Sequence, residues 1–298
     1  MTRANLLITG GTGLLGSVLT DKLVNEGFSV SALCRKGRAG TNPKVNWIEI
    51  DFLPLTDLNP YLHDVDILVH NASSLKLGNT DEDRAEIQAI NIDFSRNLFE
   101  AAAKAGVKHI LYTSSLSVIA KPLPTIIAEK AELRPVSFYA QSKYETERTL
   151  VQVASAYNIT YSIFRISSPV SLDLEKMHNT VLKKWILAAK KGESLAVFGS
   201  GGRTQDFVSV EDVADAFLNS IARPNVLGIF NIASGNMISM LDLAELIANR
   251  FQTTIASSGI DEQENDRWNI SINKAKKELD YSPKYTSISC IETMINSL

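Results

Sequence analysis

Asn5-Leu6-Leu7-Ile8-Thr9-Gly10-Gly11-Thr12-Gly13-Leu14-Leu15-Gly16 runs from a short apolar stretch through a Gly-x-x-Gly-x-x-Gly turn into a helical pattern that reaches Glu26. The apolar stretch reads as a buried strand. A close strand-to-helix turn needs residues without Cβ, and the helix start offers unpaired N–H groups to an anion. A glycine-rich turn with no ligand is the plain alternative. Its position at the first strand-helix junction favours a dinucleotide pyrophosphate instead. Gly10, Thr12, Gly13, Leu14, Leu15 and Gly16 are therefore candidate cofactor-binding residues.

Working outward, the same rhythm repeats. Gly27 closes the first helix, Ser29 to Cys34 reads as a second strand, and Val45 to Ile50 alternates as a third. Ile67-Leu68-Val69-His70 and His109 to Thr113 are further strands, separated by one long helix from Asp81 to Ala105. A helix from Phe138 to about Tyr157 precedes a sixth strand at Tyr161 to Arg165. Strands alternating with helices predict an α/β fold of Rossmann type, a doubly wound parallel sheet covered on both faces. Beyond Arg165 the rhythm loosens. Residues 1–165, with 207–232 returning to the sheet, are expected to form the dinucleotide-binding domain. Residues 166–206 and 233–298 are expected to form a smaller, discontinuous α/β substrate-binding lobe, with Pro169 to Phe198 mostly helix and loop.

The end of the second strand bears on the cofactor. An acidic side chain there commonly accepts from a ribose 2′-hydroxyl in NAD sites. This chain has Leu33-Cys34-Arg35-Lys36 instead. Arg35 can clamp a 2′-phosphate and Lys36 can neutralise it, which favours NADP over NAD; a solvated basic loop is the plain alternative. Asp51, followed by Phe52 after the third strand, is placed to accept from an adenine amine or to cap a turn.

Phe138-Tyr139-Ala140-Gln141-Ser142-Lys143 puts a phenol and an ammonium four residues apart on one helix face. A phenol titrates near pH ~10. A neighbouring ammonium is expected to lower that value and make Tyr139 a usable acid/base. Ser114-Ser115 follows the fifth strand at its C-terminal end, where open α/β sheets place ligands.

Together these residues resemble the extended short-chain dehydrogenase/reductases, in particular the NAD-dependent epimerase/dehydratase family. The resemblance rests on Gly10, Gly13 and Gly16, Asp51, His70-Asn71-Ala72-Ser73, Ser114-Ser115, Tyr139 with Lys143, and the stretch from Gly199 to Ala214. It implies that Ser115 is the catalytic serine, Tyr139 the acid/base, and Lys143 the ribose-binding residue that lowers the tyrosine pKa. It places Asn71, Ala72 and Ser73 along the cofactor and Arg165 to Ser168, Ile166 included, near the nicotinamide carboxamide. Asn91 falls in the long helix. The chain also departs from the family. Ile119-Ala120 stand where members acting on nucleotide sugars often carry Tyr-Gly, and Gln205 replaces the arginine that commonly precedes Asp-Phe-Val. Arg203, two residues earlier, and Arg267, placed like a C-terminal diphosphate-binding arginine, are the substrate-binding candidates; an ordinary surface salt bridge is the alternative for each.

The 298 residues carry a formal charge of −3 with no long basic cluster, so no nucleic-acid surface is expected. Two distant cysteines give neither a disulfide framework nor a metal site and fit a reducing cytoplasm. No leader or membrane-spanning run is read from the sequence. Ile87, Ile90, Phe94 and Leu98 form an apolar stripe that suits either a homodimer interface or core packing. The favoured expectation is an NADP-dependent ketoreductase of a nucleotide-linked keto-sugar, because Arg35-Lys36 suits an exchanging NADP. An NAD-dependent epimerase on the same substrate class is the runner-up. Leu116-Ser117 lacks the acidic pair that would eliminate water, which disfavours a dehydratase. A non-catalytic dinucleotide sensor would be expected to lose Tyr139 or Lys143, and both are present.

Overall fold

The computed structural model describes residues 4–76 and 78–298; the first three residues of the expected dinucleotide-binding segment lie outside them. Seven strands form one parallel sheet: β1 (Asn5–Thr9), β2 (Ser29–Arg35), β3 (Asn46–Ile50), β4 (Ile67–His70), β5 (His109–Ser115), β6 (Thr160–Ile166) and β7 (Gly228–Ile232). Their spatial order is β7-β6-β5-β4-β1-β2-β3. The order reverses between β1 and β4, and the C-terminal ends of strands at such a reversal are where open α/β sheets place ligands. Alternate strand residues feed opposite faces. Leu6 and Ile8 join one buried cluster with Leu19, Phe164 and Phe217, whereas Leu7 joins another with Leu98, Phe99, Ile110 and Leu150. Burying each such side chain contributes roughly 1.5–3 kcal/mol, so the sheet is clamped from both sides.

The long helix is present but not uniform. Asp81–Ile87 and Ser95–Lys104 are α-helical, and Gln88–Phe94 between them is π-helical. Polar side chains meet the carbonyls of this wider turn: Thr146 Oγ1 donates to Asn91 O at 2.6 Å, and Ser95 Oγ to Ile90 O at 3.3 Å. Of the stripe considered for dimerisation, Ile87, Phe94 and Leu98 point inward and are all 0% exposed, whereas Ile90 is half-buried. Core packing accounts for Phe94 and Leu98.

A second core gathers Leu182, Trp185, Ile186, Leu195, Val197, Leu243, Ile247, Ile291 and Met294. Three details differ from the sequence-based layout. Pro169 to Phe198 also contains the short strands Ser168–Val170 and Leu195–Val197. Phe207–Ser209 pairs with Ser168–Val170 rather than joining the large sheet; only Gly228–Ile232 does so, beside β6. Within 233–298, Ile270, Ile272, Ala275, Leu279 and Tyr281 pack in the first core, where Tyr281 Oη donates to the Ala233 carbonyl at 2.9 Å.

Candidate active site

The glycine turn sits at the C-terminal end of β1, against Asn71 and Ala72 at the end of β4. A Cβ on Gly10, whose φ is +71°, would lie 2.7 Å from Ala72 N, and a Cβ on Gly16 would lie 2.0 Å from Gly10 O. Both approaches exclude any side chain. The helix Leu14–Asn25 starts at Gly13 without a side-chain cap, whereas the helices after Thr80, Ser137, Thr180, Ser209, Ser239 and Thr286 are all capped. The turn thus offers backbone donors of the kind a pyrophosphate takes. Thr12 and Gly13 are exposed, but the Leu15 and Ile166 side chains belong to the first core, which leaves only their backbone groups for a ligand.

A buried relay holds this cradle. Thr9 Oγ1 accepts from Asn71 N at 3.2 Å and Ala72 N at 3.0 Å, so its own proton goes to His70 Nδ1 at 2.7 Å. That fixes the tautomer: His70 Nε2 donates to Ser95 Oγ at 2.7 Å. Burial, with the Lys143 charge second, pushes His70 down to about 3, so the ring is neutral. Asn71 Nδ2 also donates to Gly10 O at 3.4 Å, and Ser73 Oγ to Ser74 O at 3.2 Å. Asn91 ties this loop to the helix Phe138–Tyr157. Its Oδ1 accepts from Ser74 N at 2.7 Å and its Nδ2 donates to Ser142 Oγ at 3.1 Å, while Ser142 Oγ donates to Tyr139 O at 2.7 Å.

At the end of β2, Arg35 and Lys36 are both exposed. Lys36 Nζ donates to Asp51 Oδ2 at 2.7 Å, an ion pair that raises the lysine pKa. The cation expected at a 2′-phosphate and the carboxylate expected at an adenine are thus bonded to each other. The register explains it: Arg35 lies opposite Ile50, so the next residues of the two strands emerge side by side. Phe52 packs on Phe94, centroids 5.0 Å apart.

Ser115, Tyr139 and Lys143 come from the end of β5 and the first turns of the helix Phe138–Tyr157, which Ser137 caps on Ala140 N at 3.1 Å. Ser115 is half-buried, and its Oγ accepts from Ser117 N at 3.1 Å. Lys143 is buried. Its Nζ donates to the Thr113 carbonyl at 3.0 Å and lies 5.2 Å from the Tyr112 ring centroid and 5.7 Å from that of Tyr139. The expected lowering of the tyrosine pKa is reversed. Burial pushes Tyr139 up to about 12 and Lys143 down to about 7, with Glu147 partly offsetting the latter. Desolvation penalises both charged forms, so each group is driven toward neutrality.

Beneath this pair lies a charged network that sequence reasoning missed. Glu147 accepts from Ser114 Oγ, from Arg165 Nε at 3.0 Å and from Arg165 Nη2 at 2.8 Å, and Arg165 Nη1 donates to Glu129 O at 3.1 Å. Arg165 is 1% exposed, committed to Glu147 rather than to a nicotinamide. One turn separates Glu147 from Lys143, and Ser114 lies opposite Arg165 across β5 and β6. The i,i+4 spacing was the one available signal.

On the lobe side, Ser168 Oγ donates to Gln205 Oε1 at 3.2 Å, so Gln205 is not free to replace the missing arginine. Asp206 is buried and accepts from Ser234 N, Asn236 N and Ser167 Oγ, which stitches the lobe to the ends of β6 and β7. Arg203 pairs with Asp261 at 3.1 Å, and Arg267 Nη1 donates to the Glu264 carbonyl at 2.7 Å. A separate cavity of about 290 Å³, lined by Ala120, Pro122, Pro124, Ile126 and Glu132, holds none of the candidate residues.

Three comparisons with known proteins, by family, by relatives and by solved structures, add to this. The profile of the NAD dependent epimerase/dehydratase family matches residues 6–233. The chain is 28% identical to a UDP-glucose 4-epimerase of Mycolicibacterium smegmatis over 81% of each chain. It is 27% identical to a UDP-N-acetyl-alpha-D-glucosaminuronate decarboxylase of Bacillus cytotoxicus over 85% of this chain and 81% of that one. Among solved structures, a UDP-glucose 4-epimerase of Thermotoga maritima with UDP-glucose has TM-score 0.85 at 24% identity, covering 98% of this chain and 97% of the other. A UDP-glucuronic acid 4-epimerase of Bacillus cereus with UDP-glucuronic acid and NAD has TM-score 0.86 at 20% identity, covering 98% of each.

Proposed function

Since the chain belongs to the NAD-dependent epimerase/dehydratase family, as an enzyme of the extended short-chain dehydrogenase/reductase type, we propose that it epimerises a nucleotide-linked sugar with NAD. This reverses the preference drawn from the sequence for a ketoreductase, because relatives of similar length are named as UDP-sugar epimerases and solved neighbours carry UDP-sugars and NAD. The observation that supports the reading most is Lys143, whose Nζ lies 5.7 Å from the Tyr139 ring centroid and donates to the Thr113 carbonyl, two residues before Ser115 at the C-terminal end of β5. A bound nicotinamide supplies the hydride acceptor and donor.

The chain's own residues handle the proton and the oxygen. Ser115 Oγ, held from behind by Ser117 N–H, donates to the sugar oxygen. Tyr139 Oη exchanges a proton with the same oxygen, taking it as the alcohol becomes a ketone and returning it on reduction. The raised pKa keeps the Tyr139 phenol protonated, so taking the alcohol proton requires first forming the phenolate, which a charged Lys143 beside it favours. Buried Glu147 favours that charged state. Leu116-Ser117 offers no acidic pair for elimination.

NMR of purified protein with UDP-glucose, UDP-N-acetylglucosamine and UDP-glucuronic acid should show the 4-epimer of at least one accumulating without added cofactor. Absence of any epimer from all three refutes this reading. The exposed Arg35 and the missing acid at the β2 end support a second reading, an NADP(H)-dependent reductase. Mass and absorbance of the cofactor released on denaturation separate the two: retained NAD supports the epimerase, and an empty protein that binds NADPH supports the reductase. Under the second reading, Arg35→Asp should shift preference toward NAD.

A further inference from the structure

Arg203 is already engaged inside the lobe, although imperfectly. Its Nη1 donates to Gln263 Oε1 at 3.3 Å. Its Nε lies within ion-pair range of Asp261 yet is buried without an aligned hydrogen bond. Next to it the turn Gly199-Ser200-Gly201-Gly202, with φ of +60° at Gly199 and +71° at Gly201, aims the Ser200 N–H at Glu264 Oε2, 3.1 Å away. The Ser200 hydroxyl donates to Glu264 Oε1, and this bond, with the Ser200 and Gly202 N–H groups and lastly the Arg267 charge, holds the carboxyl below its usual range. A Cβ on Gly202 would stand 3.1 Å from Glu264 Oε1 and 3.3 Å from Arg267 Nη2, so carboxylate and guanidinium flank one small space. A backbone N–H, a hydroxyl and two guanidiniums are the donors that grip phosphate oxygens. Here Asp261 pairs with Arg203 and the Glu264 carboxylate takes both Ser200 donors, while Arg267, whose charge acts on Glu264, donates to the backbone carbonyls of Glu264 and Asp266. Asp261 and Glu264 belong to Asp261-Glu262-Gln263-Glu264-Asn265-Asp266-Arg267, whose Asp266 pairs separately with Lys121.

We propose that Asp261 and Glu264 are resident stand-ins for the substrate's diphosphate, which binds by displacing them from Arg203, Ser200 and Arg267. This rests on the nucleotide-sugar reading above. Binding is then an exchange of anions: the Asp261 and Glu264 carboxylates leave as the phosphoryl oxygens arrive. The stand-ins keep the arginines neutralised, so a single negative charge gains little by entering and a diphosphate gains most.

Isothermal calorimetry with inorganic pyrophosphate and with UDP tests it on the intact protein. Asp261→Asn/Glu264→Gln should bind both about ten-fold more tightly than the unmodified chain, and Glu264→Gln alone about three-fold more tightly. The charge-matched control Glu262→Gln/Asp266→Asn should stay within about two-fold, because a general electrostatic gain would act on both pairs alike. Unchanged or weaker pyrophosphate binding in the first pair, or equal tightening in the control, overturns the proposal. Turnover distinguishes the two readings. If no variant acts on a nucleotide sugar while pyrophosphate tightens as expected, the substrate assignment fails and the stand-ins hold. If sugars are turned over and pyrophosphate does not tighten, the stand-ins fail alone.

Discussion

Replacing Tyr139 with Phe removes a hydroxyl that makes no hydrogen bond to any described residue. The variant should keep its melting temperature while turnover falls by about two to four orders of magnitude; retained turnover would remove Tyr139 from the chemistry. His70 carries a second prediction. Burial holds it at about 3 and His109 at about 4, both below the ordinary 6.5. Between pH 4 and 6.5 the unfolded chain therefore binds more protons than the folded one. Stability falls as pH drops through that window, by about 1.4 kcal/mol per pH unit for each proton. Urea unfolding across the window should show His70→Gln with about one proton less of pH dependence. Tyr139, Lys143 and the glycines stood out in the sequence because their chemistry restricts the residue type. The pair Glu147 with Arg165 did not, because it meets only once the helix Phe138–Tyr157 packs on β6, and the pair Lys36 with Asp51 did not, because it meets only once β2 and β3 are in register.

Elements add constraints that no single residue reveals. Arg165→Met leaves Glu147 buried without its partner and should cost about 3–5 kcal/mol in chemical denaturation. Arg165→Met/Glu147→Leu should recover most of that loss, since a well-packed apolar pair replaces a buried charge pair at little cost. Failure of the double variant to recover would show that the network carries more than its own burial. The helix at 81–104 was legible in length from its apolar spacing. Its π-helical turn was not, because periodicity records which face is buried and not which carbonyls Thr146 and Ser95 capture.

For the whole molecule, strand-helix alternation revealed the doubly wound order, while the lobe boundaries stayed hidden. Short strands such as Ser168–Val170 carry too few residues for a pattern, and the return of Ile270 to Tyr281 to the first core is a long-range contact. It yields a fourth prediction: a chain ending at residue 233, where the family match ends, should show no cooperative unfolding transition by calorimetry, because the first core loses Ile272, Ala275, Leu279 and Tyr281. A sharp transition would show that the nucleotide half stands alone. The same return sets an order of events during synthesis. Domains commonly fold as units as they leave the ribosome, the N-terminal one first. Here the first half is expected to stay open until Tyr281 has left the ribosome, so that both halves close together rather than in turn.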